Sequence, residues 1–170
     1  MNAVRTATQP VALHDPGSPW STSIWHAARV LYGKLGGPPS NRGFAAMLAA
    51  YRASGGTARG DDLARLLEDR RRGECASLAR LIASGQLFGF EWRHTFWVPM
   101  FQLEPHELSI KAGPQRVLAE LASVFDGWAL ATWFAQPSCW LNGRRPVELL
   151  DSHLPAVVEA ARVDRFIAAG

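Results

Sequence analysis

The sequence has few cysteines and no long apolar run, and each shortage excludes a class of protein. No stretch approaches the roughly 18 consecutive apolar residues of a membrane-spanning helix, so we predict no membrane span. The first residues lack the apolar core of a secretory signal, which favours a cytoplasmic protein. Cys75 and Cys139 are too far apart for a metal-binding motif, so free thiols in a reducing cytosol are the simplest interpretation.

The motifs of common catalytic and cofactor sites are also absent. No glycine-rich segment has the spacing of a phosphate-binding loop, and none of the five histidines stands four residues from an acid. Cys139 and His153 could form a nucleophile–base pair, but no cation near Cys139 in the sequence would activate its thiol. A buried thiol is the simpler interpretation. We therefore predict no enzyme, no metal site and no cofactor.

What the sequence contains is typical of a folded protein. Its 170 residues are 48% apolar, which is enough for one compact domain or two small ones. The net charge of +3 is too low, and the seven tryptophans are too many, for a disordered chain. Residues 1–19 are the exception, because they hold three prolines and no periodic pattern. We predict that they form a flexible arm.

Apolar residues recur at helical spacing over most of the remaining chain. Spacing and capping residues predict eight helices. The first three span 21–33, 40 or 41 to 55, and 61 or 62 to 67, and the fourth ends at 84. The fifth starts at 114, the sixth follows the cap at 126, the seventh spans 146–150, and the last runs from 155 to the end. Leu63, Leu66 and Leu67 are the predicted core residues of the third helix, and Cys75, Leu78, Leu81 and Ile82 those of the fourth.

Residues 87–92 and 95–98 follow a different pattern, because they are rich in aromatic and β-branched side chains. They flank the polar pair Arg93-His94, which predicts a β-hairpin. Pro99 either closes the second strand or puts it at a sheet edge. The predicted fold class is mainly α, a small helical bundle with one β-hairpin. We predict three parts: the arm at 1–19, a helical region at 20–112 and a second helical domain at 113–170.

Residues 57–103 are predicted to form a helix, a turn, a second helix and a two-stranded wing. The stretch DDLARLL…LARLIASGQLFGFEWRHTFWVP resembles the winged helix-turn-helix of excisionase and MerR-type regulators, which implies DNA binding. The candidate DNA-binding residues are Arg70, Arg71, Arg72, Ser77, Arg80, Arg93 and His94. The alternative is a scaffold with a solvated arginine turn, because residues 59–80 carry six arginines against five acids and form no basic stripe.

The segment FDGWALATWFAQPSCWLNGRRPVELLDSHLPAVVEAARVDRFIAAG carries a stronger pattern. A tryptophan-containing helix is followed by Pro137, by Leu-x-Gly-x-x-Pro at 141–146, by the apolar pair Leu149-Leu150 and by a closing helix. An apolar strand running into Pro-x-Phe-Gln precedes it at 95–102. With these features, residues 86–170 resemble antitoxins of the Xre/MbcA/ParS type. The resemblance implies a type II antitoxin that binds a RES-domain toxin, a protein that consumes NAD or transfers ADP-ribose from it.

The resemblance also implies roles for individual residues. The end of the antitoxin would cover the toxin's NAD pocket, so residues 162–170 would be the blocking element, and deleting them should spare the fold but abolish neutralisation. The implied toxin-binding residues are Trp140, Leu141, Asn142, Gly143, Arg144, Arg145, Pro146, Arg162, Arg165, Phe166 and Gly170. A homodimer or a larger toxin–antitoxin complex is expected, and operator DNA would be a further partner.

Other interpretations stay open. The arginines at 144, 145, 162 and 165 are either free to meet a partner or part of a solvated face, whereas Trp133, Leu149 and Leu150 are expected to be core residues. The whole chain could instead be a transcriptional regulator, such as an autorepressor, that uses the winged unit. It could also be an interaction scaffold whose toxin has been lost.

Overall fold

A computed structural model describes residues 40–70 and 77–169 of the chain. The predicted arm at 1–19, the predicted helix at 21–33, the arginines at 71 and 72, Cys75 and Gly170 lie outside the described residues. The described part is mainly helical and contains a small antiparallel sheet, which confirms the predicted fold class.

Seven helices form in the described part of the chain. They are α1 (Asn41–Tyr51), α2 (Gly60–Arg70), α3 (Leu78–Ala83), α4 (Ala112–Leu121), α5 (Gly127–Ala135), α6 (Pro146–Leu149) and α7 (Leu154–Ala169). The predicted caps Ser40 and Asp126 each accept a hydrogen bond from a backbone N–H in the first turn of α1 and α5. Pro114 is the third residue of α4 rather than the first, a position whose N–H needs no partner within the helix.

Three strands form the sheet: β1 (Thr57–Arg59), β2 (Phe90–Trp92) and β3 (Thr95–Pro99), in the order β1-β3-β2. The predicted hairpin is β2–β3, and its two-residue turn, Arg93-His94, has φ values of 46° and 60°. Positive φ at both residues is the geometry of a type I′ turn, which matches the twist of the flanking strands. β1 was not predicted, because three residues are too few to show alternation. It pairs with the free side of β3, so Pro99 closes a central strand.

The sheet separates two hydrophobic cores, because successive side chains of a strand point to opposite faces. Phe96 and Val98 of β3 pack into the smaller core with the apolar faces of α2 and α3. Trp97 and the opposing Phe90 face the larger core, to which α1 and α4–α7 contribute. The larger core therefore contains residues from both sides of the predicted domain boundary between 112 and 113.

Gln102 is a buried polar residue that lies beside the sheet, and its amide is fully used. Its Oε1 accepts a hydrogen bond from the backbone N–H of Phe88 at 2.9 Å. Its Nε2 donates to the carbonyl of Phe88 at 2.9 Å and to that of Pro99 at 3.0 Å. Because buried backbone groups need partners, this side chain stabilises the segment that enters β2.

Two close contacts position α5 against the rest of the larger core. The hydroxyl of Tyr51 donates to the carbonyl of Ala131, and burial raises the pKa of this phenol well above its ordinary value. Gly127, at the start of α5, touches the backbone of Gly89, since a Cβ at position 127 would lie 2.0 Å from the Gly89 carbonyl oxygen. Only glycine allows this approach of helix to strand.

Two predictions of burial are wrong. Leu66 is 40% exposed, because α2 packs on the sheet through Leu63 and Leu67, and Leu66 lies to the side of that row. Cys139 is exposed, because it begins a 3₁₀ turn at the surface (Cys139–Leu141) rather than a core segment.

Candidate protein-binding surface

The predicted Leu-x-Gly-x-x-Pro run forms a closed turn between α5 and α6. The N–H of Ser138 donates to the carbonyl of Arg144 at 3.0 Å, and the N–H of Gly143 donates to the carbonyl of Ser138 at 2.9 Å. Asn142 and Gly143 have φ values of 55° and 76°. Asparagine and glycine are the residues that most readily adopt this left-handed conformation, so the sequence itself specifies the turn.

Trp133 and Trp140 share the carboxylate of Asp164. Trp133 Nε1 donates to one oxygen of Asp164 at 2.6 Å, and Trp140 Nε1 donates to the other at 3.0 Å. These three residues lie on α5, on the closed turn and on α7, respectively. Hydrogen bonds to a charged acceptor are roughly twice as strong as those between neutral groups. The shared carboxylate therefore fixes the orientation of Trp140, although that residue is 51% exposed.

The two arginines of the last helix are engaged within the chain. Arg162 Nε donates to Glu120 at 3.0 Å, and Arg165 Nη1 donates to the other carboxylate oxygen at 2.6 Å. The hydrogen bond to Glu120 is also the main reason why the pKa of Arg162 is raised. Both arginines are therefore paired with Glu120 on α4, which lies beside α7, rather than unpaired as expected. Their side chains remain about half exposed, so their role in toxin binding stays a prediction.

The last turn of α7 leaves large apolar side chains in solvent. Phe166 is 80% exposed and Ile167 is 63% exposed. Ile167 lies three residues beyond Asp164, so it shares a helix face with the group that holds Trp140. We call Trp140, Phe166 and Ile167 the last-turn surface. Phe166 lies two residues beyond Asp164 and therefore on a different side of the helix from Ile167 and Trp140. Large apolar side chains that stay exposed are candidates for protein contact.

The other residues implied as toxin-binding have mixed environments. Leu141 and Pro146 are buried and shape the turn, so they are not available for contact. Asn142, Gly143 and Arg144 are exposed. Arg145 precedes α6 and forms an ion pair with Glu148 at 3.0 Å. Gly170 lies outside the described residues.

The candidate DNA-binding residues that the structure describes have different environments. Ser77 caps α3, since its hydroxyl accepts from the N–H of Arg80, whose own side chain is exposed. Arg93 donates to Asn41 at 2.8 Å and lies over the ring of Trp92. His94 is exposed at the hairpin tip. Arg70 ends α2, and the arginines at 71 and 72 lie outside the described residues.

Sequence reasoning missed Glu120 and saw Asp164 and Ile167 only as part of the tail at 162–170. The helical spacing of Asp164 and Ile167 was a usable signal for their shared face. Nothing in the sequence relates Glu120 to Arg162, since the two residues meet only through the packing of α4 on α7.

No family model, curated protein or solved structure matches the chain. Within residues 40–70 and 77–169, no helix is both long enough and apolar enough to cross a membrane. The same residues contain no group of three or more histidine, cysteine or acidic side chains that could hold a metal ion.

Proposed function

We propose that the protein is the antitoxin of a type II toxin–antitoxin pair, and that the end of α7 binds a RES-domain toxin over its NAD pocket. The observation that carries this proposal is the last-turn surface, which exposes Phe166 and Ile167 on the helix that the family resemblance identifies as the blocking element.

Burial of the last-turn surface would supply a substantial part of a binding energy. Covering a large apolar side chain gives on the order of 2 kcal/mol when it is moved fully out of water. Phe166 is 80% exposed, so most of that amount is still available to a partner. Arg162 and Arg165 join the helix that presents Phe166 to Glu120 on α4 and remain about half exposed.

The direct test is co-expression with the RES-domain protein that we expect to be encoded beside this chain. The full chain should restore growth, co-purify with the toxin and inhibit its NAD consumption. The deletion to examine is 166–170, since a deletion from 162 would also remove the contacts of Arg162, Asp164 and Arg165 that hold α7 in place.

The truncated chain should keep its helical content but lose the toxin. Leu66→Ala is the matched control, because Leu66 is also an exposed apolar residue on a helix but lies on α2. Full protection by the chain that lacks 166–170 would refute the proposal.

A second candidate function is DNA binding by the central unit, as a transcriptional regulator or autorepressor. It is supported by the order of elements, in which α2 and α3 are followed by the hairpin β2–β3, and by the exposed Arg80 and His94. The protein alone should then retard its own promoter DNA with a steep dependence on salt. Equal retardation of unrelated DNA, or no loss in Arg80→Ala, would count against this function.

We also propose that the protein acts in the cytoplasm and as a homodimer or within a larger toxin–antitoxin complex. Light scattering coupled to gel filtration, on the chain alone and with the toxin, measures the stoichiometry. A monomer in both samples would contradict the proposed assembly.

A further inference from the structure

We propose that Trp140 is a pre-positioned anchor of the last-turn surface, that Asp164 is its positioning residue, and that the partner receives the indole in an apolar slot with an acidic rim. This inference rests on the proposed function, because it specifies the residues and the partner chemistry of the same surface.

The hydrogen-bonding capacity of Trp140 is already used within the chain. An indole has one donor, Nε1–H, and no acceptor. That donor reaches Asp164 at 3.0 Å, while 51% of the residue remains exposed. A buried tryptophan usually needs an acceptor for this N–H. Because Trp140 brings its own acceptor, the partner needs to offer only apolar walls.

The backbone and the ring of Trp140 are each held by one hydrogen bond before any partner arrives. Its backbone N–H donates to the hydroxyl of Ser138 at 3.3 Å within the closed turn. Asp164 is itself held by Trp133, whose ring packs edge-on against Phe134 with centroids 5.0 Å apart. A side chain that is already ordered loses less conformational entropy on binding, so a fixed Trp140 is a better anchor than a mobile one.

The charge beside the anchor indicates the rim of the partner's slot. Arg144 belongs to the same closed turn, is exposed and forms no ion pair with any described residue. The other cations nearby are already paired: Arg145 with Glu148, and Arg162 and Arg165 with Glu120. Arg144 is therefore the cation that can meet a carboxylate of the partner, and a guanidinium can bind a carboxylate through two parallel hydrogen bonds.

The positioning role of Asp164 can be tested on the full chain without a partner. In ¹⁵N-labelled protein, Trp140→Phe and Trp133→Phe assign the two indole N–H signals. Asp164→Ala should increase the nanosecond mobility and the solvent exchange of the Trp140 indole. Glu159→Ala is the matched control, because it removes another acid from α7 and should leave that indole unchanged. An equally ordered Trp140 in Asp164→Ala would overturn the positioning role.

The anchor role is tested by titrating the full chain with the RES-domain protein of the adjacent gene. Trp140→Ala should weaken binding at least about 30-fold, as central tryptophans of interfaces do. Asp164→Ala should weaken it by about 3- to 10-fold, the cost of ordering one side chain. In a background that carries both Trp133→Phe and Trp140→Phe, Asp164→Ala should add nothing, since neither phenylalanine has an N–H for the carboxylate to hold, whereas with Trp133→Phe alone it should still weaken binding. Arg144→Glu should also weaken binding, and Glu159→Ala should not.

The outcomes separate the inference from the function on which it rests. Failure of the wild-type chain to bind the RES-domain protein refutes the proposed function and the anchor together. Tight binding by Trp140→Ala overturns the anchor alone. An Asp164→Ala effect that persists in the Trp133→Phe, Trp140→Phe background overturns the positioning role. Unchanged binding by Arg144→Glu overturns the acidic rim.

Discussion

Replacing Gln102 should destabilise the fold far more than its position outside the regular strands and long helices suggests. Its amide satisfies three buried backbone groups: the N–H and the carbonyl of Phe88 and the carbonyl of Pro99. Gln102→Met keeps the volume of the side chain but removes all three hydrogen bonds. An unsatisfied buried polar group costs about 1–3 kcal/mol, so the loss should be at least roughly 3 kcal/mol. That is a large part of the stability of a typical domain, about 5–15 kcal/mol.

Urea unfolding followed by far-UV circular dichroism measures this loss as a shift of the midpoint at an unchanged slope. Gln115→Met on α4 is the matched control, because Gln115 is exposed and should be nearly neutral. If Gln102→Met and Gln115→Met unfold at the same urea concentration, the account of the buried amide is wrong.

Three further predictions follow from the packing. Gly127→Ala should unfold or severely destabilise the protein, because the added Cβ would overlap the Gly89 carbonyl. The control Gly113→Ala should be tolerated, since its Cβ would meet its nearest atoms at 3.7 Å. Equal melting temperatures of the two variants would disprove the Gly127–Gly89 contact. Burial raises the pKa of Tyr51 above its ordinary 10.0, so the stability that this phenol contributes is present below pH 10 and is lost as the pH rises further. In a Tyr32→Phe background, tyrosinate absorbance should appear together with unfolding, and ionisation near pH 10 in a folded chain would contradict the burial. Glu120→Gln should lower the free energy of unfolding by less than about 1 kcal/mol, since the arginine partners of Glu120 are half exposed. It should nevertheless speed amide hydrogen exchange in α7, and unchanged exchange would show that the ion pairs do not hold the helix.

The features that the sequence predicted are the ones set by neighbouring residues. Ser40 and Asp126 cap helices because a capping side chain reaches a backbone N–H only three residues ahead. The hairpin follows from two aromatic runs on either side of a two-residue turn. The closed turn at 138–144 follows from Asn142 and Gly143, which tolerate a left-handed backbone. Each of these signals lies within a few positions of the structure that it specifies.

The features that could not be predicted depend on contacts between distant segments. β1 forms because β3 has a free edge with which it can pair, and nothing in the sequence of residues 57–59 indicates that edge. Arg162 and Arg165 look like free cations until α4 brings Glu120 beside them. Leu66 has the spacing of a core residue, but its exposure depends on how α2 is rotated against the sheet. The sequence could therefore propose a segment as the candidate site, whereas the division of its residues between structural and exposed roles needed the tertiary fold.

The central claim is that the end of α7 and the closed turn are where a protein partner binds. Amide hydrogen exchange of the full chain, measured with and without the RES-domain protein of the adjacent gene, tests it most directly. We predict that protection on binding is concentrated at 138–144 and 162–169. Protection confined to α2, α3 and the hairpin, with no change in α7, would contradict the account.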